Sequence, residues 1–191
     1  MSDSRLKWDS IYKKKANVVP EPAFAISEYA HLLPPTGKAL DLACGQGGNS
    51  FFLSKKGLHV DAWDVSPVVI QQIKENTGTL NIAPLAIDIN EAIWPTNHYD
   101  VITVSKFLNR DIIPQLISAL KENGLVFYQT FTADKAQPIG PTNPKFLLKK
   151  SELLSLFSSL SPVIYHEEAH IGNVNEGIRN EAILIAQKTK P

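Results

Sequence analysis

The feature that most constrains the fold is a glycine-bearing loop between a short apolar run and a helical stretch. The apolar run covers residues 38–43, the helical stretch covers residues 47–56, and the string DLACGQGGNS joins them. An apolar run that leads through such a loop into a helix is typical of the first unit of an α/β domain. In open α/β sheets, ligands bind beyond the carboxyl ends of the strands. We therefore expect a ligand site at this loop.

The same alternation continues along the chain. Further strands are predicted at residues 59–63, 80–87, 99–105, 125–131, 162–168 and 181–187, and further helices at residues 22–33, 67–76, 114–120 (closed around residues 123–124) and 151–160. The apolar character of the first, fourth and fifth strands favours a parallel sheet that is covered on both faces. The last two strands have only a loop between them, so they pair antiparallel or lie apart. The pattern predicts a Rossmann-like, doubly wound α/β fold with helices on both faces.

Composition and charge exclude several classes of protein. The 191 residues suit one domain, residues 1–191, with 43% apolar and 20% charged residues. Nineteen basic and nineteen acidic residues cancel, so net charge predicts neither nucleic-acid nor membrane binding. The single cysteine, Cys44, permits neither an intrachain disulfide nor a cysteine-rich metal site. No signal peptide or spanning segment is recognisable, so we predict a cytoplasmic monomer or homodimer.

Three acidic residues follow or end three successive predicted strands. Asp41 precedes Gly45 by four residues, Asp64 ends the second strand, and Asp88 ends the third. Gly45 and Gly47 lack a Cβ atom, which lets a ligand lie against the backbone. A carboxylate at Asp41 would repel a pyrophosphate but attract an ammonium or sulfonium, and Asp64 can accept both hydroxyls of a ribose. The pattern predicts a cationic adenosyl ligand.

These residues resemble the class I S-adenosylmethionine-dependent methyltransferases. Asp41-x-Ala43-x-Gly45-x-Gly47 matches the family loop D/E-x-G-x-G-x-G, with alanine at the first glycine position. The string DLACGQGGNSFFLSKKGLHVDAWDVSP is similar to a small bacterial branch that includes tellurite-resistance and thiopurine methyltransferase-like proteins. Residues 8–12 spell the W-D-x-x-Y of that branch. The resemblance covers about residues 8–132 and implies a seven-stranded, mostly parallel sheet with an antiparallel last strand.

The resemblance also implies a cofactor, S-adenosylmethionine, and residues that bind it. It assigns the loop from Asp41 to Gly47 to the methionine part, Asp64 to the ribose, Val65 to the adenine face, and Asp88 with its neighbour to the adenine edge. The full set of candidate cofactor-binding residues is Trp8, Tyr12, Asp41, Ala43, Cys44, Gly45, Gly47, Asn49, Asp64, Val65, Asp88, Ile89 and Ser105. Ala43 in place of glycine puts little in doubt, since alanine is small.

The resemblance also implies a lid over the cofactor pocket and residues near the methyl acceptor. Trp8 and Tyr12 would close over the pocket as part of a helical lid formed by residues 1–20. Ser105 and Phe107, after the fourth strand, would lie near the transferable methyl. A sulfonium methyl is already activated, so in-line transfer needs positioning more than a dedicated acid or base. The catalytic residues are left open, with Tyr12, Ser105 and Phe107 as candidates, and the predicted acceptor is the heteroatom (S, O, N or chalcogen) of a small molecule.

Two other functions remain as alternatives. An NAD(P)-dependent reductase would need a third glycine where Asn49 and Ser50 stand. A non-catalytic adenosyl-nucleoside-binding protein would share the cofactor site. Residues 166–170 spell H-E-x-x-H, but a zinc hydrolase needs that motif on a helix, and here it follows a strand-like run. We therefore predict no metal site.

Overall fold

The computed structural model describes residues 3–14 and 21–190. Of the predicted lid, residues 1–2 and 15–20 lie outside the described part of the chain. The helices are α1 (Asp3–Lys14), α2 (Phe24–Glu28), α3 (Gly48–Lys55), α4 (Pro67–Asn76), α5 (Ile113–Ala119) and α6 (Glu152–Leu156), with 3-10 turns at Ala30–Leu32, Arg110–Ile112 and Pro144–Phe146. The strands are β1 (Gly37–Leu42), β2 (Leu58–Asp64), β3 (Ile82–Ala86), β4 (Tyr99–Ser105), β5 (Leu120–Phe131), β6 (Ser161–His166) and β7 (Glu181–Gln187).

The seven strands form one sheet in the order β3-β2-β1-β4-β5-β7-β6. The first five run parallel, and β7 lies antiparallel between β5 and β6. The strand order reverses at β1 and β4, so the crevice beyond their carboxyl ends is where a ligand is expected. The predicted fold class, including the antiparallel last strand, is confirmed.

The sheet is covered on both faces because its strands carry apolar side chains on both sides. Leu40 and Leu42 of β1 face one core, which α5 and α6 also line. Ala39 faces a second core, which is shared with α2 and α3. Successive strand residues point to opposite faces, so β1 is buried on both sides through its last four residues. This packing holds the end of β1 rigidly at the crevice.

Several predicted boundaries were wrong. The helix predicted at residues 22–33 is interrupted at Tyr29, whose backbone (φ −99°, ψ 28°) separates α2 from a 3-10 turn. The helix predicted to close around Asn123 and Gly124 ends at Ala119, and β5 begins at Leu120 with an irregular register beside Tyr99. The helix predicted at residues 151–160 keeps only its first half. Local apolar spacing cannot separate a helix end from a strand start when both are buried.

The H-E-x-x-H string adopts the extended conformation predicted for its start. His166 ends β6, and His170 lies in the turn that follows. His166 contacts Glu168 at 2.5 Å, and His170 contacts Asp134 at 3.1 Å. The two histidines therefore have separate partners. In residues 3–14 and 21–190, no three metal-ligating side chains are grouped to hold an ion, and no helix has the length and hydrophobicity to cross a membrane.

Candidate functional site

Asp41 is a buried acid at the second-last position of β1. Only 1% of its surface is exposed. Ser50 Oγ donates to its Oδ2 at 2.5 Å, and Asn49 Nδ2 donates to its Oδ1 at 3.4 Å. Burial raises the pKa of Asp41 to about 7, against these hydrogen bonds, which lower it. The site therefore holds a carboxylate whose ionised form is not fully stabilised by the protein.

Asp64 is the second buried acid, at the end of β2. Its Oδ2 accepts the N–H of Gly45 at 3.0 Å, and its Oδ1 accepts the N–H of Ser66 at 2.9 Å. Burial raises its pKa, although the backbone N–H groups favour the ionised form. Within the described residues, no lysine, arginine or histidine forms an ion pair with Asp41 or Asp64. Because neither acid has a basic side chain as a partner, the pair suits a ligand that carries a positive charge.

The loop between β1 and α3 has a left-handed backbone at three positions. The φ angles are +52° at Ala43, +53° at Gly45 and +82° at Gly47. Glycine adopts this region freely, but alanine does so at a cost of about 1 kcal/mol or more. The prediction that alanine at position 43 matters little was based on the small size of alanine. It did not include the cost of the left-handed backbone at that position. A Cβ atom at Gly45 would lie 3.2 Å from the Tyr12 hydroxyl, so the Tyr12 side chain packs closely against the backbone of this loop.

Helix α1 lies over this loop and uses all three named residues of the W-D-x-x-Y string. Tyr12 is buried beside Cys44 and the α4 side chains, and Trp8 stacks on its ring at 5.6 Å between centroids. Asp9 accepts a hydrogen bond from the hydroxyl of Ser66, which in turn caps α4 by accepting from Val69 N–H. Burial raises the pKa of the Tyr12 hydroxyl. Helix α1 is thus held over the loop by both apolar and polar contacts.

A buried side-chain amide, Asn49, connects three parts of the site. Its Oδ1 accepts the N–H of Ala23 at 2.8 Å, and its Nδ2 donates to Ser105 Oγ at 3.0 Å as well as to Asp41. Gln129 plays a similar part nearby, since its Oε1 accepts the N–H of Ala25 at 2.8 Å. The start of α2 is therefore capped by side chains from α3 and β5.

The other candidate residues lie around the same edge of the sheet. Val65 and Asp88 are half-buried after β2 and β3, and Ile89 is buried in the main core. Phe107 packs against that core just beyond β4, and its carbonyl accepts a hydrogen bond from Tyr128 at 3.0 Å. Cys44 is a buried free thiol whose pKa is raised by burial. Burial and a raised pKa make this thiol a packing residue rather than a nucleophile.

Three site residues were not identified from the sequence. Ser50 binds Asp41, Ser66 links α1 to α4, and Gln129 anchors α2. Ser50 and Ser66 carried a usable signal, because each lies within the first turn or cap of a helix that follows a strand-end acid. Gln129 carried none, because its partner is 104 residues away in the chain.

The guanidinium of Arg110, shortly after β4, is occupied within the protein and is not left to bind an anion. It forms a two-point contact with Glu152, at 2.7 and 2.9 Å, and also donates to the carbonyls of Lys145 and Leu147. The contact with Glu152 raises its pKa. Arg110 therefore holds the segment before α6 in place.

Comparison with known proteins identifies the family. The family model for tellurite resistance protein TehB matches residues 5–182. The chain belongs to the TehB family. This confirms the predicted tellurite-resistance branch of the class I methyltransferases, and the predicted cofactor, S-adenosylmethionine, is the one in the name of a curated TehB relative.

The TehB relatives agree in sequence and in fold. A Haemophilus influenzae protein named "Probable S-adenosyl-L-methionine-dependent methyltransferase TehB" is 34% identical over 122 residues, which are 61% of this chain and 42% of that protein. The chain thus spans less than half the length of that curated TehB. The crystal structure of TehB from Haemophilus influenzae matches 95% of this chain and 67% of its own, with 28% identity and a TM-score of 0.72.

A more distant structure shares the fold alone. Geranyl diphosphate C-methyltransferase from Streptomyces coelicolor, solved with S-adenosyl-L-homocysteine, is 12% identical, with a TM-score of 0.67 and coverage of 86% of this chain and 79% of its own.

Proposed function

We propose that this chain is an S-adenosylmethionine-dependent methyltransferase that transfers a methyl group to a heteroatom of a small molecule. The observation that carries the proposal is the pair of buried acids, Asp41 and Asp64, at neighbouring strand ends beside a left-handed glycine loop. Neither acid has a cationic partner among the described residues. A positively charged adenosyl compound supplies the charge that they lack.

The residues present fit this cofactor. Each carboxylate oxygen of Asp64 accepts one backbone N–H, which leaves lone pairs for the two hydroxyls of a ribose. Asp41 lies two residues before the loop, where the sulfonium and ammonium groups of the methionine part would be stabilised. Val65, Asp88 and Ile89 follow β2 and β3 and would border the adenine.

The chain's own contribution to the reaction is positioning and exclusion of water. The bound cofactor supplies an activated methyl group, so the protein needs no strong base for a nucleophile that is already deprotonated. Trp8 and Tyr12 cover the loop and would exclude water from it. Ser105 and Phe107 at the end of β4 would border the acceptor. We keep Tyr12, Ser105 and Phe107 as the candidates for direct contact with the reacting atoms.

The name of the family favours one acceptor class among sulfur, oxygen, nitrogen and chalcogen nucleophiles. Tellurite resistance implies contact with a chalcogen oxyanion, whose central atom keeps a lone pair for in-line attack on a methyl group. We propose such an oxyanion as the first acceptor to test. We also propose a cytoplasmic monomer or homodimer. The neutral net charge supports the proposal that it has no nucleic-acid partner.

Calorimetry with S-adenosylmethionine, S-adenosylhomocysteine and NAD tests the cofactor. We expect both adenosyl compounds to bind and NAD not to bind. Transfer of a labelled methyl group to tellurite, selenite and small thiols then tests the activity. Binding of NAD alone would favour the reductase alternative. Binding of S-adenosylhomocysteine without transfer to any acceptor in the panel would favour the non-catalytic alternative.

A further inference from the structure

The side-chain amide of Asn49 has a defined orientation. Its Oδ1 accepts the N–H of Ala23 at 2.8 Å, and only the oxygen of an amide can accept there. Nδ2 is therefore the atom that lies 3.0 Å from Ser105 Oγ. Asn49 is 7% exposed, and turning its amide over would set Nδ2 against the Ala23 N–H and leave that partly buried N–H without its acceptor.

This orientation determines the role left to the Ser105 hydroxyl. A hydroxyl has one proton and two lone pairs, and Asn49 Nδ2–H occupies a lone pair. In the described part of the chain, Asn49 is the hydrogen-bond partner found for Ser105 Oγ, and no acceptor takes its proton. The proton is therefore available to a ligand at the end of β4. β4 lies directly beside β1, so this hydroxyl stands next to the Asp41 end of the proposed cofactor site.

The charges at this end of the sheet favour an acceptor with negative oxygen atoms. Lys106 follows Ser105, is exposed, and forms no ion pair with any residue that the structure describes. Among the acids at this end, Glu181 accepts from Gln129 at 2.6 Å and Glu168 pairs with Arg179 at 3.2 Å, while Asp41 and Asp64 are assigned to the proposed cofactor. With Asp41 and Asp64 engaged by the cofactor, the Ser105 hydroxyl and Lys106 are the donors left for an acceptor here.

We propose that Asn49 is a positioning residue that presents the Ser105 hydroxyl as a hydrogen-bond donor to an oxygen atom of the methyl acceptor. The inference rests on the proposed methyltransferase function and names the group that selects an oxygen-bearing acceptor. Hydrogen sulfide, which has no oxygen and whose sulfur is a weaker hydrogen-bond acceptor, gains less from this donor. Asn49 acts through Ser105, so its effect depends on the presence of that hydroxyl.

The test measures binding of tellurite to the protein saturated with S-adenosylhomocysteine, by calorimetry in thiol-free buffer. We expect Ser105→Ala to weaken tellurite binding about tenfold or more, because a hydrogen bond to a charged group is lost. Ser105→Thr keeps the hydroxyl and should keep the affinity. Asn49→Asp keeps an acceptor for Ala23 N–H but offers Ser105 a carboxylate, which would take the hydroxyl proton, so it should also weaken binding about tenfold.

The double variant Asn49→Asp/Ser105→Ala separates positioning from general damage. If Asn49 acts through Ser105, adding Asn49→Asp to Ser105→Ala should change tellurite affinity by less than about twofold. Asn180→Asp is the matched control, because it also exchanges a buried amide whose Oδ1 accepts a backbone N–H, that of Gln137 at 3.0 Å, and neither residue belongs to the proposed site. We expect that control to leave tellurite affinity unchanged.

The outcomes distinguish the inference from the proposed function. Failure to bind S-adenosylhomocysteine would contradict the proposed function itself. If S-adenosylhomocysteine binds, the positioning role is overturned by any of three results: wild-type protein that does not bind tellurite, a Ser105→Ala variant that binds it as well as wild type, or a full additional loss in the double variant.

Discussion

The acids at the two ends of the sheet have different partners. Towards the amino-terminal ends of the strands, Asp61 pairs with Lys38 at 3.1 Å and accepts from the Tyr99 hydroxyl at 2.8 Å. Asp100 there pairs with Lys121 at 2.8 Å. At the carboxyl-terminal ends, Asp41 and Asp64 have only N–H and O–H donors of the protein around them.

The pKa values of the acids record this difference. Burial alone would raise the pKa of Asp100, but the hydrogen bond from Lys121 and the N–H of Lys38 bring it below its usual value. The pKa values of Asp41 and Asp64 are instead raised by burial. Asp100 thus stabilises the fold at one end, and Asp41 and Asp64 at the other end cost stability until a cationic ligand binds. Such a cost is common at functional sites.

The largest expected effect is on the pH dependence of stability. The folded pKa of Asp41, about 7, is above its unfolded value, so the protein without cofactor should lose stability as pH rises from about 4 to about 7. Asp41→Asn removes this loss and should stabilise the protein without cofactor at pH 8 by up to about 4 kcal/mol. Denaturant unfolding of both proteins at pH 5 and pH 8 measures the difference.

Asp100→Asn is the control from the opposite end of the sheet. The folded pKa of Asp100 is lowered, so its stabilising contribution is present above its unfolded pKa and is lost as pH falls below about 4. This variant should therefore be less stable than wild type at pH 8. Equal destabilisation by Asp41→Asn and Asp100→Asn at that pH would contradict the comparison between the two ends.

The second prediction concerns cofactor affinity. Asp64→Asn keeps the size of the side chain but removes the charge and one acceptor for the ribose hydroxyls, so we expect affinity for S-adenosylhomocysteine to fall about a hundredfold. Asp100→Asn should change it by less than about twofold, since Asp100 lies at the far end. Calorimetry at pH 8 measures both. An Asp64→Asn protein that binds as tightly as wild type would remove the main support for the cofactor site.

The positions of the candidate residues at the carboxyl-terminal end were predictable because they are local in sequence, whereas their binding roles stay predictions. Asp41 and Asp64 were found from strand-end positions, and Gly45 and Gly47 from the loop spacing. Their roles towards the cofactor, however, came from a resemblance to known enzymes. The mostly parallel sheet with its antiparallel last strand also followed from the alternation of strands and helices together with that resemblance.

What escaped prediction depends on contacts between distant parts of the chain. Asn49 was predicted to bind the cofactor. Its hydrogen bonds to Ala23 and Ser105 were not predicted, because they join residues 26 and 56 positions apart in the chain. The network of Lys38, Asp61 and Tyr99 was missed for the same reason, since its members come from three strands. A sequence pattern reveals which residues share an element, whereas such networks depend on how elements pack.

The smallest expected effect concerns the backbone of the cofactor loop. Ala43 has a φ angle of +52°, which glycine adopts without strain, so Ala43→Gly should stabilise the protein by about 1 kcal/mol. The gain is limited because glycine also increases the entropy of the unfolded chain. Ala169 has a φ angle of +47° in the turn after β6, outside the proposed cofactor site, and Ala169→Gly should give a similar gain.

Comparing Ala43→Gly with Ala169→Gly tests whether the strained backbone at position 43 contributes to cofactor binding. If the left-handed turn at position 43 only joins β1 to α3, both variants should be more stable, and both should bind S-adenosylhomocysteine as wild type does. If alanine at position 43 stiffens the loop against the cofactor, Ala43→Gly alone should lose affinity, by about twofold to fivefold, because a more flexible loop must be ordered on binding. Thermal unfolding and calorimetry on the same two proteins decide between these outcomes. A loss of stability in Ala43→Gly would contradict the strain argument itself.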